Sequence, residues 1–272
     1  MRQSNSGCLF RSMLYAYFMN KTIFATIASY GNQYRERNLS QYAPDILLYD
    51  AWSALDFFLS RACFQGRRDT ISQRVYEAVI EVLKPKFDVK ERNDNYVALC
   101  QHGWEPIQTE LQKRIGSGKV GKARDIAMVL SILNYIGRLP DLNIVKYSFE
   151  QINLDRIGQH YYELQRSESD IGIIQVGPKI ASFYLRDLIS LYSLDHKVSP
   201  EFGFCLQPID VWVEKLVYKL KLVENPSSHQ VIQKAILKLC QEQGISPLLF
   251  NQGAWYVGYN AFDILLEILV AQ

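Results

Sequence analysis

The period of the apolar residues constrains this chain more than any other feature. They recur at helical spacing along most of its length, and the strict alternation of a half-buried strand is rare. Residues 45–64, DILLYDAWSALDFFLSRACF, give a strong amphipathic helix, with Asp45 placed to cap it and Gly66 beyond it as a stop signal. The same spacing predicts helices over 8–30, 70–84, 105–115, 122–136, 144–150, 153–166, 211–223, 227–243 and 254–270. Pro85 is expected to close the helix that begins at 70, and Gly31 the one that begins at 8. The intervening 31–44, 86–103 and 116–121 read as polar or glycine-rich connections, with a short helix inside the second. The expected fold class is therefore all-α. No Pro/Gly/Ser-rich linker interrupts the chain, so residues 1–272 are expected to form one unit. Within it, two helical lobes would flank a cleft, one about 70–195 and the other about 1–69 plus 210–272.

Composition narrows the function classes. Apolar residues make up 48% of the 272 residues, enough for a sizeable core. A formal net charge of +2 does not by itself indicate nucleic acid, so a local basic face would have to supply that contact. Cys8, Cys63, Cys100, Cys205 and Cys240 are an odd, scattered set with no C-x-x-C, which argues against a disulfide framework, a zinc site or an iron–sulfur cluster. Cys100 and His102 are close, but no second pair accompanies them, so no metal and no cofactor is expected. Arg11 interrupts the N-terminal apolar run, and no uncharged stretch reaches the roughly 18 residues that span a membrane. The expectation is a cytoplasmic protein of reducing surroundings.

Residues 173–212 hold two groups with opposite environments. A tight turn, Val176-Gly177-Pro178-Lys179, opens an apolar helical run through Ile180, Phe183, Tyr184, Leu188 and Leu191. Pro178 suits the first helical position, so Lys179 lies in the first turn. There the helix dipole and the apolar neighbours both favour a neutral amine, the form a nucleophilic lysine needs. Further on, Pro208-Ile209-Asp210 opens a second helix, and Asp is a preferred cap that a helix N-terminus keeps ionised. Such a carboxylate can support an oxocarbenium-like sugar. Read alone, Lys179 is also a surface lysine at a helix start, and Asp210 an ordinary cap.

Together these residues resemble the helix-hairpin-helix superfamily of base-excision DNA glycosylases. The superfamily pattern is roughly L-P-G-V-G-x-K, a helix, then V-D-x-x-V/W. It is matched by Ile173-Ile174-Gln175-Val176-Gly177-Pro178-Lys179 and by Ile209-Asp210-Val211-Trp212, with Ile174-Gln175 where P-G is usual. The stretch is most similar to the archaeal-type 8-oxoguanine DNA glycosylases, whose Lys–Asp separation is similarly long. Gln33-Tyr34-Arg35 resembles their Q-Y-R, and Phe183 occupies the position that faces the base. Gly244-Ile245-Ser246-Pro247-Leu248, then Asn251 and Trp255, resembles their G-I-P-P-L, polar residue and tryptophan, with Asn251 where the subfamily has Asp. The resemblance implies Lys179 as nucleophile at the sugar C1′ and Asp210 as the essential carboxylate. It implies Gln33, Phe183, Asn251 and Trp255 around a flipped base, and the Gln175 and Gly177 amides on a DNA phosphate. It also implies a two-lobed helix-hairpin-helix fold, a cofactor-free enzyme acting as a monomer, and double-stranded DNA with a damaged base as partner. Phe183 and Trp255 also read as core aromatics, and Gln33 as a plain loop residue.

Lys113, Arg114, Lys119, Lys122 and Arg124 surround the loop GSGKVG, with no acid between Glu110 and Asp125. Lys119 and Lys122 are candidate phosphate contacts at a helix start; the same run also reads as a solvated charge cluster. Gly116…Gly121-Lys122 imitates a nucleotide-binding loop, but Ala123 stands where the Mg²⁺-binding Ser/Thr belongs and a helical segment precedes it. The expected activity is removal of 8-oxoguanine from DNA with lyase cleavage of the resulting site. Two alternatives remain open: a monofunctional N-glycosidase on another lesion or a modified nucleoside, and a non-catalytic helical module that binds DNA or another partner.

Overall fold

The computed structural model describes residues 6–65, 67, 69–87, 104–115, 120–166 and 171–271, with side chains described between 22 and 260. The protein is all-α: among these residues no strand occurs, and the single isolated bridge joins Gln165 to Ile173. The helices are α1 (Ser6–Asn38), α2 (Pro44–Tyr49), α3 (Ala51–Ala62), α4 (Asp69–Phe87), α5 (Glu105–Arg114) and α6 (Ala123–Ile136). They continue with α7 (Ile144–Asn153), α8 (Ile157–Glu163), α9 (Pro178–Tyr192), α10 (Val211–Lys219), α11 (His229–Gln243) and α12 (Pro247–Ala271). Two 3₁₀ segments, Asp195–Lys197 and Pro200–Leu206, lie between α9 and α10. None of the described helices is long and apolar enough to cross a membrane.

The chain divides into two compact units, one of residues 1–40 and 209–272, the other of residues 41–208. The second junction lies at 208/209. The first lies at 40/41, well before the expected 69/70, because α2 and α3 pack on α7 and α9 within the second unit.

The first unit is built on the pairing of α1 with α12. Ile23, Phe24 and Ile27 of α1 meet Phe250 and Ala254 of α12, Val213, Leu216 and Val217 of α10, and Ile232, Ile236 and Cys240 of α11 in one apolar cluster. Two glycines set how closely the long helices approach. A Cβ on Gly253 would lie 1.8 Å from the Ile27 carbonyl oxygen, and one on Gly31 2.5 Å from that of Leu249. This corrects two sequence expectations. Gly31 does not end the first helix, which runs on to Asn38, and the last helix begins at Pro247 rather than 254. Gly31 reads as a stop signal in sequence, whereas in the fold it and Gly253 admit a neighbouring backbone.

In the second unit α3 and α9 are central. Phe57 and Phe58 of α3 meet the Tyr184 ring edge-on, at 5.9 and 4.7 Å between centroids. The expected helix 45–64 is two helices. Asp50 turns extended and caps α3 by accepting the Ser53 amide at 2.9 Å, while Asp45 lies in the first turn of α2 behind Pro44. Pro85 does not end α4, which runs to Phe87; lying in the last turn, it costs the helix the single bond its amide would make. Asp155 and Leu142 take left-handed conformations that separate α7 from its neighbours.

Candidate active site

The turn before α9 is held from three sides. Ile173 N donates to Leu164 O at 3.0 Å, Ile174 N to Ser131 Oγ at 2.9 Å, and Val176 N closes the turn onto Ile173 O at 3.0 Å. Gly172 is required here, since a Cβ would meet the Gln165 carbonyl oxygen at 2.3 Å. Gln175 has φ 65°, the left-handed region, which costs a non-glycine residue about 1–2 kcal/mol. It stands third in the turn, where glycine is favoured and where the superfamily pattern has glycine. Gln175 therefore takes a backbone conformation that glycine would take without strain. The Gln175 side chain is exposed.

Gly177 precedes α9 in an extended conformation, with no side-chain cap on the helix. A Cβ there would meet nothing within 4 Å, so the packing does not explain this glycine. Pro178 fills the first helical position as expected, and Lys179 is half-buried in the first turn. Among the described residues Lys179 Nζ makes no ion pair or hydrogen bond, leaving its amine uncommitted. One turn on, the half-buried Phe183 carries the Arg186 guanidinium over its ring, 4.9 Å from the centroid.

Arg186 belongs to a buried charge cluster that sequence reading passed over. Asp187 Oδ1 accepts Arg186 Nε at 3.0 Å and Nη2 at 2.9 Å, while Oδ2 accepts Arg61 Nε at 3.2 Å from α3. All three residues are almost wholly buried. The signal was present in sequence as an Arg-Asp pair inside an otherwise apolar helix.

Asp210 lies in the first unit as the N-cap of α10. Its Oδ1 accepts the amides of Trp212 at 3.0 Å and Val213 at 2.9 Å. Among the described residues its other oxygen has no partner. Gln33 is exposed on α1, which corrects its expected place in a loop. The adjacent Tyr34 is buried, edge-on to Trp255 at 5.4 Å. Trp255 stacks face to face on Tyr259 at 5.2 Å and 5°. Asn251 shares the Trp255 helix face but is wholly buried and already engaged by the fold, so a base edge would reach it only by displacing that packing. The first unit thus groups Gln33, Asp210, Asn251 and Trp255, and the second Gln175, Gly177, Lys179, Phe183 and Lys122.

Lys119 lies outside the described residues. Lys122 is exposed at the start of α6, where its amide donates to Asp125 Oδ2 at 2.7 Å. Asp125 is buried against Arg67, whose Nη1 lies 2.9 Å from both carboxylate oxygens. The Asp125 carboxylate is therefore paired inside the fold. Of the neighbouring cations, Arg114 pairs with Glu81 at 3.2 Å on the surface.

A second array has the order of an acyl-transfer triad. Ser148 Oγ lies 2.8 Å from His160 Nε2, and His160 Nδ1 lies 3.4 Å from Glu163 Oε2. Ser148 and His160 are wholly buried, and Ser148 Oγ also bonds Ile144 O at 2.7 Å and Tyr184 OH at 2.9 Å. No substrate carbonyl can approach that oxygen, so the array joins α7, α8 and α9 structurally. Burial would raise the Glu163 carboxyl, but hydrogen bonding to His160, the charge of His160, and the Tyr147 and Tyr135 hydroxyls outweigh it and hold it below its ordinary value.

Compared with protein-family models, curated proteins and solved structures, the chain matches none of them.

Proposed function

We propose that the chain is a two-lobed helix-hairpin-helix DNA glycosylase and lyase that removes 8-oxoguanine through a Schiff base on Lys179. The observation that carries the reading is the turn before α9. Gln175 stands where the pattern has glycine and adopts the left-handed backbone that glycine would take. An unencumbered Gly177 and the uncommitted amine of Lys179 come directly after it.

In this mechanism the Lys179 Nζ lone pair attacks C1′. The bond from C1′ to the base breaks, and the base leaves with the electron pair and gains a proton. The free oxygen of Asp210 faces the positive charge that builds on the sugar, while its partner oxygen keeps the carboxylate fixed at the helix start. The attached Nζ gives up a proton and O4′ takes one up as the C1′–O4′ bond breaks and the sugar ring opens. The resulting iminium on Lys179 acidifies the C2′ hydrogen, and its loss expels the 3′ phosphate by β-elimination. Phe183 and Trp255 supply ring faces for the extruded base, and Gln33 a polar edge. The test is base release and strand cleavage from a duplex carrying one 8-oxoguanine. Lys179→Gln should abolish both, and Asp210→Asn should slow base release by about two to three orders of magnitude.

A net charge near zero favours a second reading, a monofunctional N-glycosidase acting on a substrate with few phosphates. Base release without strand cleavage, with weak salt dependence, would select it.

A further inference from the structure

We propose that the first unit carries a stacking surface for unpaired DNA, with Tyr259 as its outer ring and Lys215 and Lys219 as its phosphate contacts. This inference does not depend on glycosidic chemistry. Trp255 and Tyr259 lie one turn apart on α12, parallel within 5° at 5.2 Å. Tyr259 is 46% exposed, and its ring is backed by that of Trp255. A parallel pair, Tyr30 on Tyr256 at 6.0 Å and 16°, lies where α1 meets the same helix. Trp212 packs against Gly258, the residue before Tyr259 on α12, where an added Cβ would come within 2.4 Å of the Trp212 Cβ. Lys215 Nζ lies over the Trp212 ring, 4.8 Å from its centroid.

The charges beside these rings complement phosphate. Lys215 and Lys219 are exposed one helical turn apart on α10, about 6 Å along its axis. The nearest acid of that helix, Glu214, accepts the Tyr218 hydroxyl at 3.0 Å. Arg37 on α1 is fixed by Asn260 of α12 at 2.9 Å. Aromatic faces interleaved with cations are how single strands are bound without reading their sequence. A duplex cannot use such a face, because each of its bases is covered on both sides by its neighbours.

The test is fluorescence anisotropy with a labelled oligothymidylate of about a dozen nucleotides, within the site sizes typical of such surfaces. Tyr259→Ala should weaken binding by about five- to 150-fold, and Tyr259→Phe should restore it. Lys215→Ala and Lys219→Ala should each reduce the salt slope by about 0.7. An oligomer with the same phosphates but no bases should bind the unaltered protein more weakly and be indifferent to Tyr259→Ala. Equal binding of the abasic oligomer would overturn the proposal. That comparison uses the unaltered protein, so it decides the matter whether or not Tyr259→Ala folds.

Discussion

Asp187→Asn tests how the helix bearing Lys179 is held. In the wild type one buried carboxylate receives guanidinium hydrogen bonds from both Arg186 and Arg61. The guanidinium of Arg61 also lies over the Phe57 ring, 4.0 Å from its centroid. Asparagine is nearly isosteric, so little packing is lost. The substitution removes the negative charge between two buried cations and turns an amide N–H toward at least one of them. Breaking a buried ion pair by altering one partner costs about 3–5 kcal/mol, because the remaining charge stays buried and uncompensated. For a chain of this size each kcal/mol moves the midpoint by about 2–4 °C, so thermal unfolding followed by circular dichroism should shift down by about 6–20 °C. Glu81→Gln, which removes an exposed partner of Arg114, is the control and should leave the midpoint in place. An Asp187→Asn midpoint no lower than that of Glu81→Gln would refute the argument that this carboxylate organises α3 and α9.

Three further outcomes are expected from the same structure. Gln175→Gly relieves a left-handed glutamine and should leave stability unchanged or raise it by up to about 1 kcal/mol, whereas Gly172→Ala, which drives a Cβ into the Gln165 carbonyl, should lower it clearly; urea unfolding of the pair decides this. Burial pushes the thiols of Cys63, Cys205 and Cys240 up to about 12, so at about pH 8 they should resist alkylation in the native protein and react after denaturation, as read by peptide mass mapping. The folded Glu163 carboxyl lies below its ordinary 4.5, so the stability it contributes is present above that value and is lost as pH falls through the lowered folded value; Glu163→Gln should flatten acid unfolding across that window.

The helical class and most helix positions were legible, because helical spacing of apolar residues is local information. Pro178 at the first turn of α9 was legible for the same reason. What failed was the reading of Gly31 as punctuation and of residues 45–64 as one helix. Gly31 answers to Leu249, more than two hundred residues away, and Asp50 breaks a strongly helical pattern by capping its second half. At the candidate site, the helix starts that carry Lys179 and Asp210 could be read from single residues and their neighbours. The pairing of Asp187 with Arg61 and of Trp255 with Tyr34 could not, since Arg61 and Tyr34 come from distant segments. The left-handed Gln175 was hidden because its residue type disfavours the conformation its position imposes.

The most direct measurement is borohydride trapping on a duplex carrying a single 8-oxoguanine, followed by mass mapping of the adduct. The proposed chemistry predicts a covalent protein–DNA species whose modified peptide contains Lys179, and none with Lys179→Gln. An adduct that persists in Lys179→Gln, or base release from that variant at the wild-type rate, would contradict it.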